Sequence, residues 1–203
     1  MIPVQEKPEP PDFAHRVREP GQAFLRINSR PKSVEWKNRD YWRRSLQDLY
    51  SSYEGICAYS AEWIPSNTGV ATVDHFIPKS VDPQLAYEWA NYRLSSLKLN
   101  SRKKEYQDIL DPFTLEDETF IIDFPSLIVK PNPHLSDQQK SLVNATIKRL
   151  GLNDEVSIKS RLRWIRSYAN DDISLNFLEA NAPFIAFELR RQNLVDDIKQ
   201  IMR

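Results

Sequence analysis

VATVDHFIPKSVDPQLAYEWANYRLSSLKLNSRKK, residues 70–104, carries the most informative pattern in this chain. Its opening, VATVD, is rich in β-branched residues and follows a turn signal around Asn67 and Gly69, so a strand is expected to deliver Asp74 and His75. Pro83 stands where a first helical turn tolerates it, which predicts a short helix through Glu88. Tyr92 to Ser95 reads as a second short strand, and a helical pattern runs from about Leu97 to Gln107. Arg93, Lys98, Arg102, Lys103 and Lys104 make this a basic segment, with no acidic residue from 93 to 104. Arg102, Lys103 and Lys104 read as grouped at the start of the last helix, against its dipole, a conflict that a bound polyanion would remove.

Outward from this stretch the chain reads as mixed helix and strand. Five of the first twenty residues are proline, which favours an extended, polyproline-like arm. From Ser33 to about Tyr53, with no glycine or proline, Trp36, Trp42, Leu46, Leu49 and Tyr53 fall near helical spacing and predict one amphipathic helix. Its Arg39, Arg43 and Arg44 are read as a solvated face, with a phosphate-facing role as the alternative. Downstream, TFIIDF and LIVK predict a strand pair at 119–124 and 127–130. Ser136 and Gln139 form a capping box for a helix to about Leu150, with Gly151 as its stop. Further helices are expected over 154–169 and 183–202, the last with a core or partner stripe of Phe184, Phe187, Leu194, Ile198 and Ile201. The expected divisions are 1–54, a proline-rich arm and helix; 55–113, a catalytic core; and 114–203, a mostly helical region packed on the core or on a partner.

Composition narrows the function. Hydrophobic residues make up 40% and charged residues 28%, an ordinary globular balance. No apolar run approaches the roughly 18–20 residues a bilayer span requires. No secretory signal is read at the N-terminus, so a cytoplasmic protein without a membrane partner is expected. One cysteine, Cys57, excludes an internal disulfide framework and a cysteine-built zinc site. Lys plus Arg and Asp plus Glu each number 28, so net charge gives no argument for a polyanionic partner and any such signal must be local.

The words VDHFIPKS, WANYRL and LNSRKK, in that order, resemble the HNH endonuclease family. The resemblance implies an α+β fold with a central ββα-metal unit flanked by helices on both sides. It implies that Asp74 and His75 are the family's Asp-His pair, with His75 the general base and Asp74 a metal ligand. Asn91 matches the loop asparagine that orients the His75 segment, and Asn100 the helix position, a second ligand. Lys103 matches a basic residue often found three positions beyond. Many HNH proteins tie this unit with zinc on two CxxC pairs. Here CAYS and SLKL retain only Cys57 of the four thiols, so zinc is not expected and packing by Ile56, Tyr59, Leu97 and Leu99 should hold the unit. More loosely, PEPPDF, CAYS, LAYEWANYRL and LDPF resemble bacterial HNH subunits of anti-phage defence systems, of Septu or retron-associated type, which work beside a larger ATPase.

The chemistry can be stated without the family. Phosphodiester hydrolysis needs an activated water, stabilisation of an anionic transition state and protonation of a leaving oxygen. An imidazole has a useful neutral fraction at pH 7 and can take the water's proton. Asp74 and Asn100 offer the oxygen donors that Mg²⁺ or Mn²⁺ select. Lys79, Arg93, Lys98, Arg102, Lys103 and Lys104 would contact phosphates without reading sequence, with DNA favoured over RNA. The alternative is a catalytically silent binding or assembly module that keeps the same shape. His15 and His134 are read as solvated.

Overall fold

A proline is tolerated in the first turn of a helix because its missing N–H has no intrahelical partner there. Pro20 occupies that position in α1 (Glu19–Ile27), which continues from a π-helical turn over Ala14–Arg18. The expected extended arm is therefore confined to the residues before Asp12. The structure, a computed structural model, describes residues 1–201, with the side chains of 200 and 201 outside the description. It is an α+β fold with two separate two-stranded antiparallel sheets, and its residues group into two units.

The first unit comprises Gln5–Ala58 and Ile64–Gln107. After α1 the chain makes 3₁₀ turns at Ser33–Trp36 and Tyr41–Ser45 and then α2 (Leu46–Ser52). The single helix expected over 33–53 is thus broken. Asn38 takes a left-handed φ of 60°, and the break brings the Trp36 ring against Phe24, Trp42 and Tyr87 at centroid distances of 5.6, 6.0 and 6.2 Å. Aromatic packing outweighs the weak helical preference of a short segment. Gly21 is required in the same cluster, because a Cβ there would fall 2.1 Å from the Tyr87 ring.

Strand β1 (Ala71–His75) pairs antiparallel with β2 (Tyr92–Ser96), placing Asp74 opposite Arg93 and His75 opposite Tyr92. A 3₁₀ turn at Pro83–Tyr87, capped by Asp82, lies in the connection. Helix α3 (Leu97–Lys103) follows β2 directly, its N-terminus capped by the Ser96 hydroxyl, which accepts from the Leu99 amide. Leu99 is buried, but Leu97, expected to pack beneath this unit, is 48% exposed. The N-terminal segment straps the strand pair from outside: Phe13 packs edge-on against Trp89 and Tyr92, and the Trp89 indole N–H donates to the Lys7 carbonyl at 2.8 Å.

The second unit comprises Met1–Val4, Tyr59–Trp63 and the chain from Asp108 onward. Strands β3 (Phe120–Asp123) and β4 (Ile128–Pro131) form its hairpin. Helix α4 (Asp137–Leu150) begins with the Ser136–Gln139 capping box and ends at Gly151 in the left-handed conformation, as its sequence predicts. Helix α5 (Glu155–Ala169) is capped by Asp154. Then come α6 (Leu175–Asn181), which the sequence reading did not anticipate, α7 (Pro183–Arg191) and α8 (Asp197–Ile201). The continuous helix expected over 183–202 is interrupted after Arg191, where Asn193 adopts a φ of 55°. Residue 202 and the Ile201 side chain lie outside the described residues. Phe184 and Ile198 are buried as the stripe predicts, on two helices instead of one.

Candidate active site

As successive residues of a strand, Asp74 and His75 point to opposite faces of β1, yet both border one cleft. The cleft, about 200 Å³, is walled by Asp74, His75, Asn100, Lys79, Lys104 and Trp42 among others. It lies wholly within the first unit.

His75 is fixed by its surroundings. Its Nε2 is 2.9 Å from the Ala86 carbonyl oxygen. A carbonyl can only accept, so Nε2 carries the hydrogen and, in the neutral ring, Nδ1 holds the lone pair. Trp42 and Tyr92 meet the imidazole edge-on at 4.9 and 5.3 Å, and the Tyr92 hydroxyl donates to the same Ala86 carbonyl at 2.9 Å. Burial, helped by the nearby Lys79 and Lys103 ammoniums, lowers the imidazole pKa to about 4. At neutral pH the ring is therefore uncharged, with one acceptor nitrogen.

Asn91 is buried in the connection between the strands. Its Oδ1 accepts from the Ile77 amide at 2.8 Å, and its Nδ2 donates to the Ile77 and Leu85 carbonyls, each at 3.0 Å. Its own carbonyl accepts from the Phe76 amide at 2.9 Å. One side chain thus ties the residues after His75 to the turn that carries Ala86. Asn100, on α3, donates from Nδ2 to the Thr72 hydroxyl at 3.1 Å, and that hydroxyl donates on to the Ser95 carbonyl at 2.9 Å. With its amide nitrogen committed to β1, Asn100 could offer a ligand only its Oδ1.

Asp74 is 2% exposed, and the Lys103 ammonium lies 3.2 Å from its Oδ2. Lys103 is itself fully buried and donates to the His75 carbonyl at 2.7 Å. Arg93 is 3% exposed, donates to the Ala90 and Tyr92 carbonyls at 2.8 and 2.9 Å, and covers the Phe76 ring. Both stand in the expected set of phosphate contacts, and both are buried with internal acceptors, unlike the exposed cations that set describes. Of the other expected contacts, Lys79 and Lys104 border the cleft, whereas Lys98 and Arg102 stand on α3 away from its walls. Burial lowers the Lys79 pKa, with Glu105 opposing, and its ammonium sits over the Trp36 and Trp42 rings.

The dipole conflict read from sequence also disappears. Helix α3 ends at Lys103, so Arg102 and Lys103 occupy its last turn, the end a helix dipole prefers for cations. No bound polyanion is needed to explain them. Lys104 closes the helix with a φ of 48°, unusual for a residue with a side chain.

The sequence reading missed two contributors. The spacing of Trp42 puts it on a helical core face and carries no signal of its contact with His75. The Ala86 carbonyl, which sets the tautomer, is a backbone group with no sequence signal. Among the described residues no group of three or more His, Cys, Asp or Glu side chains could hold a metal ion. The cleft instead offers the Asp74 and Glu105 carboxylates and one amide oxygen, a sparse donor set that fits a hard cation keeping most of its water or phosphate ligands. No helix among the described residues is long and apolar enough to cross a membrane. Compared with models of known families and with curated proteins, the chain matches none.

Proposed function

We propose that this chain is a metal-dependent endonuclease of HNH type that hydrolyses phosphodiester bonds, with DNA as the favoured substrate. One observation carries the reading: Asp74, His75 and Asn100 border a single cleft on a strand pair followed directly by a helix, with His75 held neutral and its hydrogen on Nε2.

His75 Nδ1 is the general base that takes a proton from the attacking water. As the imidazolium forms, its Nε2–H faces the Ala86 carbonyl, whose negative end favours the developing charge. Trp42 and Tyr92 prevent the ring from rotating away from this orientation, so little reorganisation accompanies proton transfer. Asn91 supports the base by fixing the connection that supplies Ala86. Asp74 and Asn100 would hold Mg²⁺ or Mn²⁺, which when bound supplies Lewis-acid stabilisation to the scissile phosphate. Lys79 and Lys104, at the cleft wall, attract the phosphate itself.

Lys103 favours a second reading on a specific ground. Its ammonium already balances Asp74, and a silent assembly module would need nothing more. Cleavage of supercoiled plasmid and of oligonucleotides separates the two. With Mg²⁺ or Mn²⁺ the wild-type chain is expected to cut, EDTA is expected to stop it, and His75→Ala is expected to lower the rate by about 10²- to 10⁴-fold while remaining folded. Equal behaviour of wild type and His75→Ala with every substrate and metal would favour the silent module.

A further inference from the structure

Beside the cleft runs a second, larger groove of about 440 Å³, within the size range of small-ligand sites. Trp42, Val73 and Asn100 wall both. The two differ in character. Where the cleft presents two carboxylates, an imidazole and ammoniums, the groove presents Trp42, Leu46, Val70 and Leu97, with Arg43 as its cation. Val70 and Leu97 are 56% and 48% exposed, large apolar side chains left facing water. The Arg43 side chain is 77% exposed and pairs with the Asp40 carboxylate at 2.9 Å, an exposed ion pair that a phosphate can compete with.

A nucleotide has the same two halves: an anionic phosphate, and a flat ring with apolar faces a short distance away. We propose that the groove takes an unpaired nucleobase adjoining the phosphate in the cleft, so that the substrate is nucleic acid that is single-stranded or locally opened. In an intact duplex the faces of a base are stacked on its neighbours, and only an unpaired or extruded base can enter an apolar slot. Trp42 links the two spaces, since it walls both and also packs edge-on against His75. The surrounding segment adds a pattern suited to single strands, cations interleaved with aromatic rings: Arg44 lies over Tyr41 at 4.7 Å, and Lys79 over Trp42 at 5.4 Å.

This inference rests on the nuclease reading, and its test does not depend on cleavage. Fluorescence anisotropy with the full chain in EDTA would compare a labelled single strand, the same strand with abasic sites, a perfect duplex and a duplex with a central mismatch bubble. The single strand is expected to bind about tenfold tighter than the duplex. Removing its bases should weaken binding about 5- to 100-fold, the range a stacked base contributes. Val70→Ser and Leu97→Ser, both exposed and neutral changes whose folding is checked by circular dichroism, should weaken the normal strand and leave the abasic strand unaffected. A bubble bound as well as the single strand identifies an unpaired base as sufficient, whereas a bubble bound with the single strand ignored identifies a base extruded from a duplex.

The inference is overturned if the abasic strand binds as tightly as the normal one, if the serine variants leave base dependence intact, or if no nucleic acid binds. It is also overturned if the chain self-associates and Val70→Ser abolishes that association, since the groove would then belong to a second copy. Base-independent binding with His75-dependent cleavage sinks this inference alone. Base-dependent binding with no cleavage by any metal-loaded form sinks the nuclease reading alone.

Discussion

Glu188 on α7 and Asp74 at the end of β1 are carboxylates that the fold withdraws from water, with 0% and 2% of their surface exposed. Glu188 is saturated. It accepts from the Ile122 amide at 2.7 Å, the Gln192 side chain at 2.9 Å and two nitrogens of Arg191 at 2.6 and 2.9 Å, which together fill the roughly four acceptor positions of a carboxylate. Every partner belongs to its own unit, and the result is a joint between β3 and α7. Asp74 instead shares a buried lysine with the His75 carbonyl and stands in the wall of a cleft beside a neutral histidine and an oriented amide. Burial alone does not distinguish a structural carboxylate from one available for chemistry. What separates them is whether the surrounding groups close the site or leave it facing a cavity.

The contrast can be broken at three places. Asp74→Asn should lower metal-dependent cleavage by more than the ~100-fold that even outer-shell changes cost a metal site. Plasmid nicking against Mg²⁺ concentration checks this, and undiminished cleavage would place Asp74 in the same class as Glu188. Glu188→Gln should leave cleavage and nucleic-acid binding within about twofold while lowering stability by about 1–3 kcal/mol, since the amide nitrogen cannot accept and leaves one or more of these buried donors unpaired. Urea denaturation with a parallel activity assay reads both effects.

Glu62 sharpens the comparison as a carboxyl that lies away from the cleft and, among the described residues, carries no arginine fork. Burial raises its pKa above the ordinary value, against the opposing pull of hydrogen bonds from Ser160 and Trp164 and of the Arg161 charge. A raised carboxyl pKa contributes stability that is fully present below the unfolded value of about 4.3 and is lost as pH rises through the folded value. Glu62→Gln, neutral at every pH, should therefore gain melting temperature relative to wild type as pH rises above about 4.3. A constant difference across that range would show that the carboxyl titrates as it does in the unfolded chain. This is the smallest effect of the three, because one partly exposed group is involved.

Much of the site's framework is legible in the residues themselves. The β-branched run before Asp74, the strand from Tyr92 and the turn at Pro83 each depend on neighbours within a few positions, and each forms where expected. The same holds for α4, whose two ends are fixed by Ser136, Gln139 and Gly151. Local signals fail where a distant group decides. Trp36 and Trp42 keep a helical spacing, yet the chain between them turns through Asn38 so that both rings reach Tyr87. Arg93 and Lys103 read as solvent-facing cations because charged side chains usually are. Lys103 is buried by a carbonyl and a carboxylate that only the folded strand pair brings within reach, whereas Arg93 turns back onto carbonyls one and three residues before it as β2 is covered.

By itself the sequence determined an α+β chain, the strand that ends in Asp74 and His75, and the order in which Asn91 and Asn100 follow, because periodicity, turn residues and caps act over short range. The tertiary structure alone decided which of those groups share a cleft, which nitrogen of His75 carries the hydrogen and which cations lie inside. Those outcomes depend on contacts between residues far apart in the chain, where packing and the cost of leaving a buried polar group unpaired outweigh local preference.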